Sequence, residues 1–586
     1  MIDYDSIRNL PAMFFARAAR RGDETCLAAK PGDVWETLSW RSVAGQVSAL
    51  SRGLRELGIV PGDRVVIVAE NRPEWAIADL AIMAAGAISV PAYVTNTPDD
   101  HFHILSDSGA KLAIVSTKAL ADRLMPAVQR SPETNTVIAI EADIAEAQGV
   151  HAVRWADALE AGRALPDDVA ARVDGINRKD TSCIIYTSGT GGTPKGVVLS
   201  HGAILCNCKG AYDLLRELED FVEDGERFLS FLPLSHSYEH TAGLHFALSI
   251  GAEIYYAQGI DKLVGNMAET APTIMTAVPR LYEAIHGRIV NGVQQAGGLK
   301  EKMFMKAVDL GRQRYENPAA LSYLDNVFNA ALDKLVRAKV AERFGGRLKA
   351  FVSGGAPLNP EIGTFFLALG VRILQGYGQT ESAPVISCNP VNGVRIHTVG
   401  PALTGVTVKI AEDGEILVQG ELLMDGYWNN PDATAETLVD GWLHTGDIGV
   451  LDADGYIQIT DRKKDIIVNA GGDNISPQRV EGMLTIEPEI GQAMVFGDRR
   501  PHLVALLVAE EDFAKSVGSE EELRTKLSEA VDRVNKKLNQ IERIRRFTVA
   551  DDAFTTDNEM MTPSMKIRRH VITARYGEAL EGLYGG

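Results

Sequence analysis

The chain has 586 residues, with 45% hydrophobic and 23% charged, the texture of an ordinary globular protein. This excludes a disordered, collagen-like or small disulfide-stapled chain, and the length allows roughly four folding units. Net charge is −19, which argues against nucleic acid as a main partner and leaves anionic ligands to be held by local groups.

The N-terminal stretch MIDYDSIRNLPAMFF is acidic ahead of its apolar run and does not read as a secretory signal. Arg64–Ala69 predicts a buried strand and Glu74–Ala85 a helix. Trp75–Val94 is apolar enough to resemble a membrane span, but it contains Asp79, Gly86 and Pro91. A helix to Ala85, a break at Gly86 and a short strand to Val90 explain it better. Lys111–Ser116, Thr136–Glu141 and Cys183–Tyr186 predict further strands, and the alternation implies parallel α/β layers. The five cysteines are too few for a disulfide framework, and Cys206 and Cys208 lack other metal-spaced ligands.

Met303–Phe344 reads largely as helix, with an apolar repeat at Leu324, Val327, Phe328, Ala331, Leu335 and Ala338. After Gly400 the texture turns to short strands, with hairpin signals at Asp413–Gly414 and Asp454–Gly455. A compact α+β pattern follows Asp461. The expected architecture is α/β. A large domain, residues 1–461, includes a β-rich subdomain at about 400–461, and a small mobile α+β domain covers 462–586.

The strongest chemical signal is Tyr186–Gly196, YTSGTGGTPKG. A buried strand runs into hydroxyl residues and glycines, then Lys195. Glycines let backbone N–H groups approach phosphate oxygens, and the lysine adds charge. It is not a Walker loop, because Gly-Lys-Ser/Thr is absent. This string resembles the phosphate loop of the adenylate-forming superfamily: acyl-CoA synthetases, luciferases and peptide-synthetase adenylation domains. The other motifs follow in the family's order along nearly the whole chain: LPLSH (Leu232–His236), SGGAPL (Ser353–Leu358), QGYGQTE (Gln375–Glu381), GWLHTGDIG (Gly441–Gly449), DRKKD (Asp461–Asp465) and TPSMK (Thr562–Lys566).

Residue chemistry suits the implied roles. Tyr377 offers a ring for adenine, Thr380 a donor for the α-phosphate, and Glu381 a hard carboxylate for Mg²⁺. The resemblance implies Thr190 as a second Mg²⁺ ligand. It places Thr187, Ser188, Gly189, Thr190, Lys195, Gly355, Ala356, Gln375, Gly376, Tyr377 and Thr380 around ATP or AMP, and Asp447 and Arg462 at the ribose. His236 is implied near the acyl carboxylate. Lys566 is implied to hold carboxylate and α-phosphate together, Lys464 to be the hinge, and Gly471 and Gly472 to line a CoA tunnel. Gly378 is expected to leave an acyl pocket open, because acetate-activating relatives carry tryptophan there. Gly191 and Val468 depart from common family residues and put one nucleotide contact each in question.

APTIMTAVPRLYE (Ala271–Glu283) and the mainly helical run between Glu283 and Ser353 resemble long-chain fatty-acid–CoA ligases. The implied reaction joins fatty acid to ATP as acyl-AMP, releasing pyrophosphate, and then passes the acyl group to CoA. A medium-chain or aryl acid, a carrier protein as acceptor, and a weakly catalytic lipid-binding protein are the alternatives. A cytoplasmic location, peripheral contact with the inner membrane face and a homodimer are compatible with the sequence. The basic stretch Lys536 to Arg546 reads as a solvated helix face, with anionic lipid or the CoA phosphates as other partners.

Overall fold

Two eight-stranded sheets organise the first part of the chain in a computed structural model that describes residues 2–141, 149–187, 193–471, 473–556, 558–562 and 566–585. One sheet runs in the spatial order Val385–Cys388, Ile373–Gly378, Ala350–Ser353, Ile274–Ala277, Arg227–Ser230, Glu253–Tyr256, Thr25–Ala29 and Glu36–Ser39. Its inner strands are parallel and its two edge pairings antiparallel. The other sheet centres on Thr181–Thr187, Ile88–Pro91, Arg64–Val68 and Leu112–Val115, which are parallel neighbours, with Lys195–Ser200 antiparallel to Thr181–Thr187.

Helices fill the space against both sheets. Pro73–Ala84 is buried from Trp75 onward, Asp79 included. Its all-round apolarity therefore reflects a core helix packed with Trp40, Phe14 and Phe246. Among the described residues no helix is long and apolar enough to cross a membrane. The predicted strand Arg64–Ala69 forms over Arg64–Val68, and Gly86 separates the helix from the strand Ile88–Pro91 with φ +78°.

The region beyond Gly400 forms a five-stranded antiparallel sheet: Val406–Ile410, Glu415–Gly420, Trp442–Leu451, Leu438–Val439 and Ile457–Arg462. Both hairpin signals hold. Gly414 and Gly455 close their turns at φ +86° and +82°, a region where a Cβ is costly. The chain then turns at 463–465, where the Asp465 N–H donates to the Arg462 carbonyl (2.9 Å). The remainder builds its own sheet, Ile490–Phe496, Leu503–Ala509 and Ile544–Val549, with helices Pro477–Leu484, Glu520–Asn535 and Arg569–Gly582. Lys536 to Arg546 is not a single helix face. It spans a helix end, a short 3₁₀ turn and the start of a strand, and Lys537 lies 3.7 Å from Glu361.

Met303–Phe344 is helical as expected, but its apolar repeat does not face the core. Leu332, Val336 and Val340 turn inward to Phe304 and Phe366. Leu324, Val327, Phe328 and Leu335 are exposed, Leu324 by 76%.

Candidate active site

Three of the motifs lie at the C-terminal ends of strands in the first sheet, where an open α/β sheet forms its crevice. The loop after Arg227–Ser230 carries Leu232–His236. The loop after Ala350–Ser353 carries Gly355 and Ala356, both exposed, and Ile373–Gly378 runs on into Thr380 and Glu381.

Three elements meet at Asp447. It stands directly opposite Arg462 in the Trp442–Leu451/Ile457–Arg462 ladder. Arg462 Nε donates to Asp447 Oδ1 at 3.1 Å, and the Tyr377 hydroxyl donates to Oδ2 at 2.6 Å. Asp447 is only 4% exposed, so its charge depends on these partners. Burial, then the neighbouring Asp447 carboxylate, holds the Tyr377 phenol well above its ordinary value. Each Asp447 oxygen has one protein donor and keeps a lone pair for a further hydroxyl.

A second group forms around Glu381. Tyr427 donates its hydroxyl to Glu381 Oε1 at 2.8 Å, and Lys195 Nζ lies 4.8 Å from the centre of the Tyr427 ring. The hairpin sets this position: Thr187 pairs with Lys195, and Gly426–Tyr427 pairs with Val197 and Val198 on the other side. Thr380 Oγ1 is 3.0 Å from Ser237 Oγ, which links QGYGQTE to the LPLSH loop. Sequence reasoning missed Tyr427 and Ser237. A tyrosine in MDGYWNN carries no charge or glycine pattern to mark it, whereas Ser237, adjoining His236, was within reach.

His236 is half-buried. Its Nδ1 accepts the Tyr238 N–H at 3.2 Å, which assigns the ring proton to Nε2 in the neutral form. Burial, with the nearby Lys566 charge adding to it, brings its pKa down to about 4, so the ring is neutral at physiological pH. Lys566 is held by two short contacts: its N–H donates to Thr562 Oγ1 (3.0 Å), and its carbonyl accepts the Thr562 N–H (2.8 Å). Its ammonium lies within electrostatic reach of Arg462, Asp447, Glu381 and Asp465. The residue is exposed overall, while its ammonium lies among these charged groups. Burial first, then Arg462, pushes its pKa down to about 8. Residues 185 positions apart, Glu381 and Lys566, thus share one site.

Other expected site residues have different surroundings. Gln375 is buried and donates to the Thr398 carbonyl (2.9 Å), and Gly376 pairs with Cys388, so both are tied into the sheet. Lys464 is exposed in the turn after Arg462. Gly471 donates its N–H to Asn469 Oδ1 at 2.9 Å, within the C-terminal segment. Val468 N–H donates to Asp498 Oδ1 (3.1 Å). Ser188, Gly189, Thr190, Gly191 and Gly472 lie outside the described residues.

Gly378 is exposed, but a side chain there has no room toward the sheet edge. A Cβ built there would lie 1.7 Å from the Pro384 carbonyl oxygen and 2.8 Å from its carbon. Gly378 pairs with Val385 across the edge of the sheet, and close backbone approach is what demands glycine.

The geometry has the parts of a nucleotide-activating site, and comparison with known proteins agrees. The family model "AMP-binding enzyme" matches residues 14–428, and "AMP-binding enzyme C-terminal domain" matches 464–586. The chain belongs to the AMP-binding enzyme family. It is 33% identical to the long-chain-fatty-acid–CoA ligase FadD15 of Mycobacterium bovis, over 98% of this chain and 97% of that protein. It is 31% identical to the peroxisomal long chain acyl-CoA synthetase 6 of Arabidopsis thaliana, over 92% and 80%. Among solved structures, the A domain of the Segniliparus rugosus carboxylic acid reductase, in complex with AMP and a carboxylic acid, aligns with a TM-score of 0.78 at 21% identity. That alignment covers 99% of this chain and 94% of the other.

Proposed function

We propose that the protein activates a long-chain fatty acid with ATP and transfers the acyl group to CoA. The observation that carries this reading is the gathering of Glu381, Asp447, Arg462 and Lys566, from separate segments spread over 185 residues, into one site. The curated relatives, matched over nearly their full lengths, favour a long acyl chain and CoA as acceptor.

In the first half-reaction a fatty-acid carboxylate oxygen attacks the α-phosphorus of ATP, and pyrophosphate leaves. Asp447 receives the ribose hydroxyls, with Arg462 and Tyr377 fixing its carboxylate. Thr187, Ser188, Gly189, Thr190 and Lys195 hold the triphosphate, Gly355, Ala356, Gln375, Gly376 and Tyr377 border the base, and Thr380 donates to the α-phosphate. The neutral His236 offers its Nε2–H to an acyl oxygen. Lys566 bridges the two anions and offsets the charge that accumulates as they join. Glu381, with Thr190, would hold Mg²⁺, a hard cation suited to carboxylate and hydroxyl oxygen that supplies charge neutralisation on the phosphates. In the second half-reaction the CoA sulfur attacks the acyl carbon and AMP leaves. Rotation of residues 462–586 about Lys464 would withdraw Lys566 and bring Gly471 and Gly472 to the pantetheine path. A panel of acids of graded length, assayed for AMP with CoA or with a carrier protein as acceptor, tests this reading. Preference for acids of two to six carbons, or for the carrier protein, contradicts it.

Glu381→Gln keeps the shape and removes the charge. The Mg²⁺ concentration for half-maximal adenylation is expected to rise about tenfold or more with the fold intact. An unchanged Mg²⁺ titration contradicts the assignment.

The Lys566 charge sets the pH response. Its depressed pKa means that the ammonium is present below about pH 8 and lost above it. The kcat/KM for ATP in pyrophosphate release is therefore expected to fall as pH rises through about 8, well below the ordinary lysine range near 10.4. A profile flat to pH 9.5 contradicts this.

Peripheral contact with an anionic lipid surface belongs to the same reading, since the substrate itself partitions into membranes. The exposed face Leu324, Val327, Phe328 and Leu335 supports it, flanked by exposed Lys334 and Lys339. Residues 298–347 hold ten basic against six acidic residues within a chain of net charge −19, a local charge suited to anionic headgroups. Leu324→Asp with Phe328→Asp is expected to abolish sedimentation with phosphatidylglycerol vesicles while leaving octanoate activation unchanged. Undiminished sedimentation contradicts it.

A further inference from the structure

We propose that Asp79, His240 and His245 form a binding site for one Zn²⁺-class dication inside the large domain, separate from the Glu381 site and acting to position the His236 loop. Three ligand atoms converge there. His240 Nε2 is 3.0 Å from Asp79 Oδ2, His245 Nε2 is 3.2 Å from the same oxygen, and the two Nε2 atoms are 3.3 Å apart. A point at the usual zinc distances of about 2.0–2.1 Å from all three exists about 1 Å off their plane. The angles between donors there are roughly 100°, close to tetrahedral. Two imidazole nitrogens and a carboxylate suit Zn²⁺ or Co²⁺ better than Mg²⁺.

Local backbone structure brings the two histidines together. Residues five apart on an α-helix point about 140° apart. Glu239–His245 is a π-helix, whose i→i+5 bonding stacks residues five apart, and the His240 and His245 rings have centroids 4.7 Å apart. Asp79 reaches the same point from the middle of the buried helix Pro73–Ala84. All three side chains are fully buried, so the carboxylate charge needs a positive partner.

Protein hydrogen bonds do not complete the cluster. Asp79 Oδ1 and His245 Nδ1 are buried without a partner, and His240 faces the Cys183 thiol. The site also touches function: the His240 N–H donates to the His236 carbonyl at 3.0 Å, so an ion gripping His240 would fix the loop that presents His236.

The test uses the full chain produced with added Zn²⁺ or Co²⁺, and again after refolding with either metal. The expected result is about one metal per chain after dialysis against a chelator, with visible ligand-field bands for Co²⁺. Those bands should persist in Glu381→Gln and disappear in His245→Gln and Asp79→Asn. Should these two variants fail to fold, the wild-type chain decides by its metal content and by a higher melting temperature when refolded with Zn²⁺ than with chelator. Less than a tenth of an equivalent of metal in well-folded wild-type protein overturns the proposal in favour of a metal-free His240–Asp79 ion pair. Cobalt bands unchanged by His245→Gln overturn it as well.

Discussion

Replacing Lys566 with alanine is expected to lower the rate of acyl-AMP formation by about 10²–10³-fold, the scale of losing one preorganised electrostatic contact to a transition state. Thioester formation from supplied acyl-AMP should change little, because the lysine joins carboxylate to phosphate and CoA transfer follows that step. The structure supports this asymmetry. Lys566 stands by Arg462, Asp447 and Glu381, where the proposed adenylation occurs, on the segment that follows the turn at 463–465. The two half-reactions are measured separately, by pyrophosphate release and by acyl-CoA production from synthetic acyl-AMP. Equal losses in both would remove Lys566 from its proposed role.

Gly378→Trp is expected to abolish activation of every acid, short or long, and to lower thermal stability. Even the first side-chain atom would overlap the Pro384 carbonyl, so the edge strand Val385–Cys388 must shift. Overpacking of this kind costs about 1–3 kcal/mol or more, a melting shift of several degrees. Strand displacement would carry Tyr377 and Thr380 with it, which disturbs nucleotide binding whatever the acid. Gly378→Ala should already show much of the loss. Retained activity on acetate with loss on a sixteen-carbon acid would instead restore an open pocket at this position. Activity and melting temperature, measured on both variants, decide.

The Gly378 case illustrates what could be read before the fold was known. Continuous apolar runs such as Arg64–Ala69 and Thr136–Glu141 became strands because strands buried on both faces of a parallel sheet need such runs. The motifs carry residue types suited to phosphate and ribose chemistry, and the fold brings Tyr377, Asp447, Arg462, Glu381 and Lys566 together. What stayed hidden depends on contacts distant in sequence. Gly378 is constrained by Pro384 across the sheet edge, and Tyr427 reaches Glu381 through a strand added beside Lys195–Ser200. His240 and His245 converge only because their helix is wound as a π-helix, which no 3.6-residue pattern reveals. Periodicity located the helix Tyr323–Leu332 but could not tell which of its two apolar stripes would be covered.

The central claim is a two-step path through acyl-AMP, and its most direct measurement is mass-spectrometric detection of the intermediate. The protein is mixed with palmitate, ATP and Mg²⁺ without CoA, and CoA is then added. The account predicts palmitoyl-AMP with stoichiometric pyrophosphate before the addition, and palmitoyl-CoA with AMP after it. No palmitoyl-AMP and no pyrophosphate before CoA, with palmitoyl-CoA appearing alongside ADP and phosphate afterwards, would contradict it.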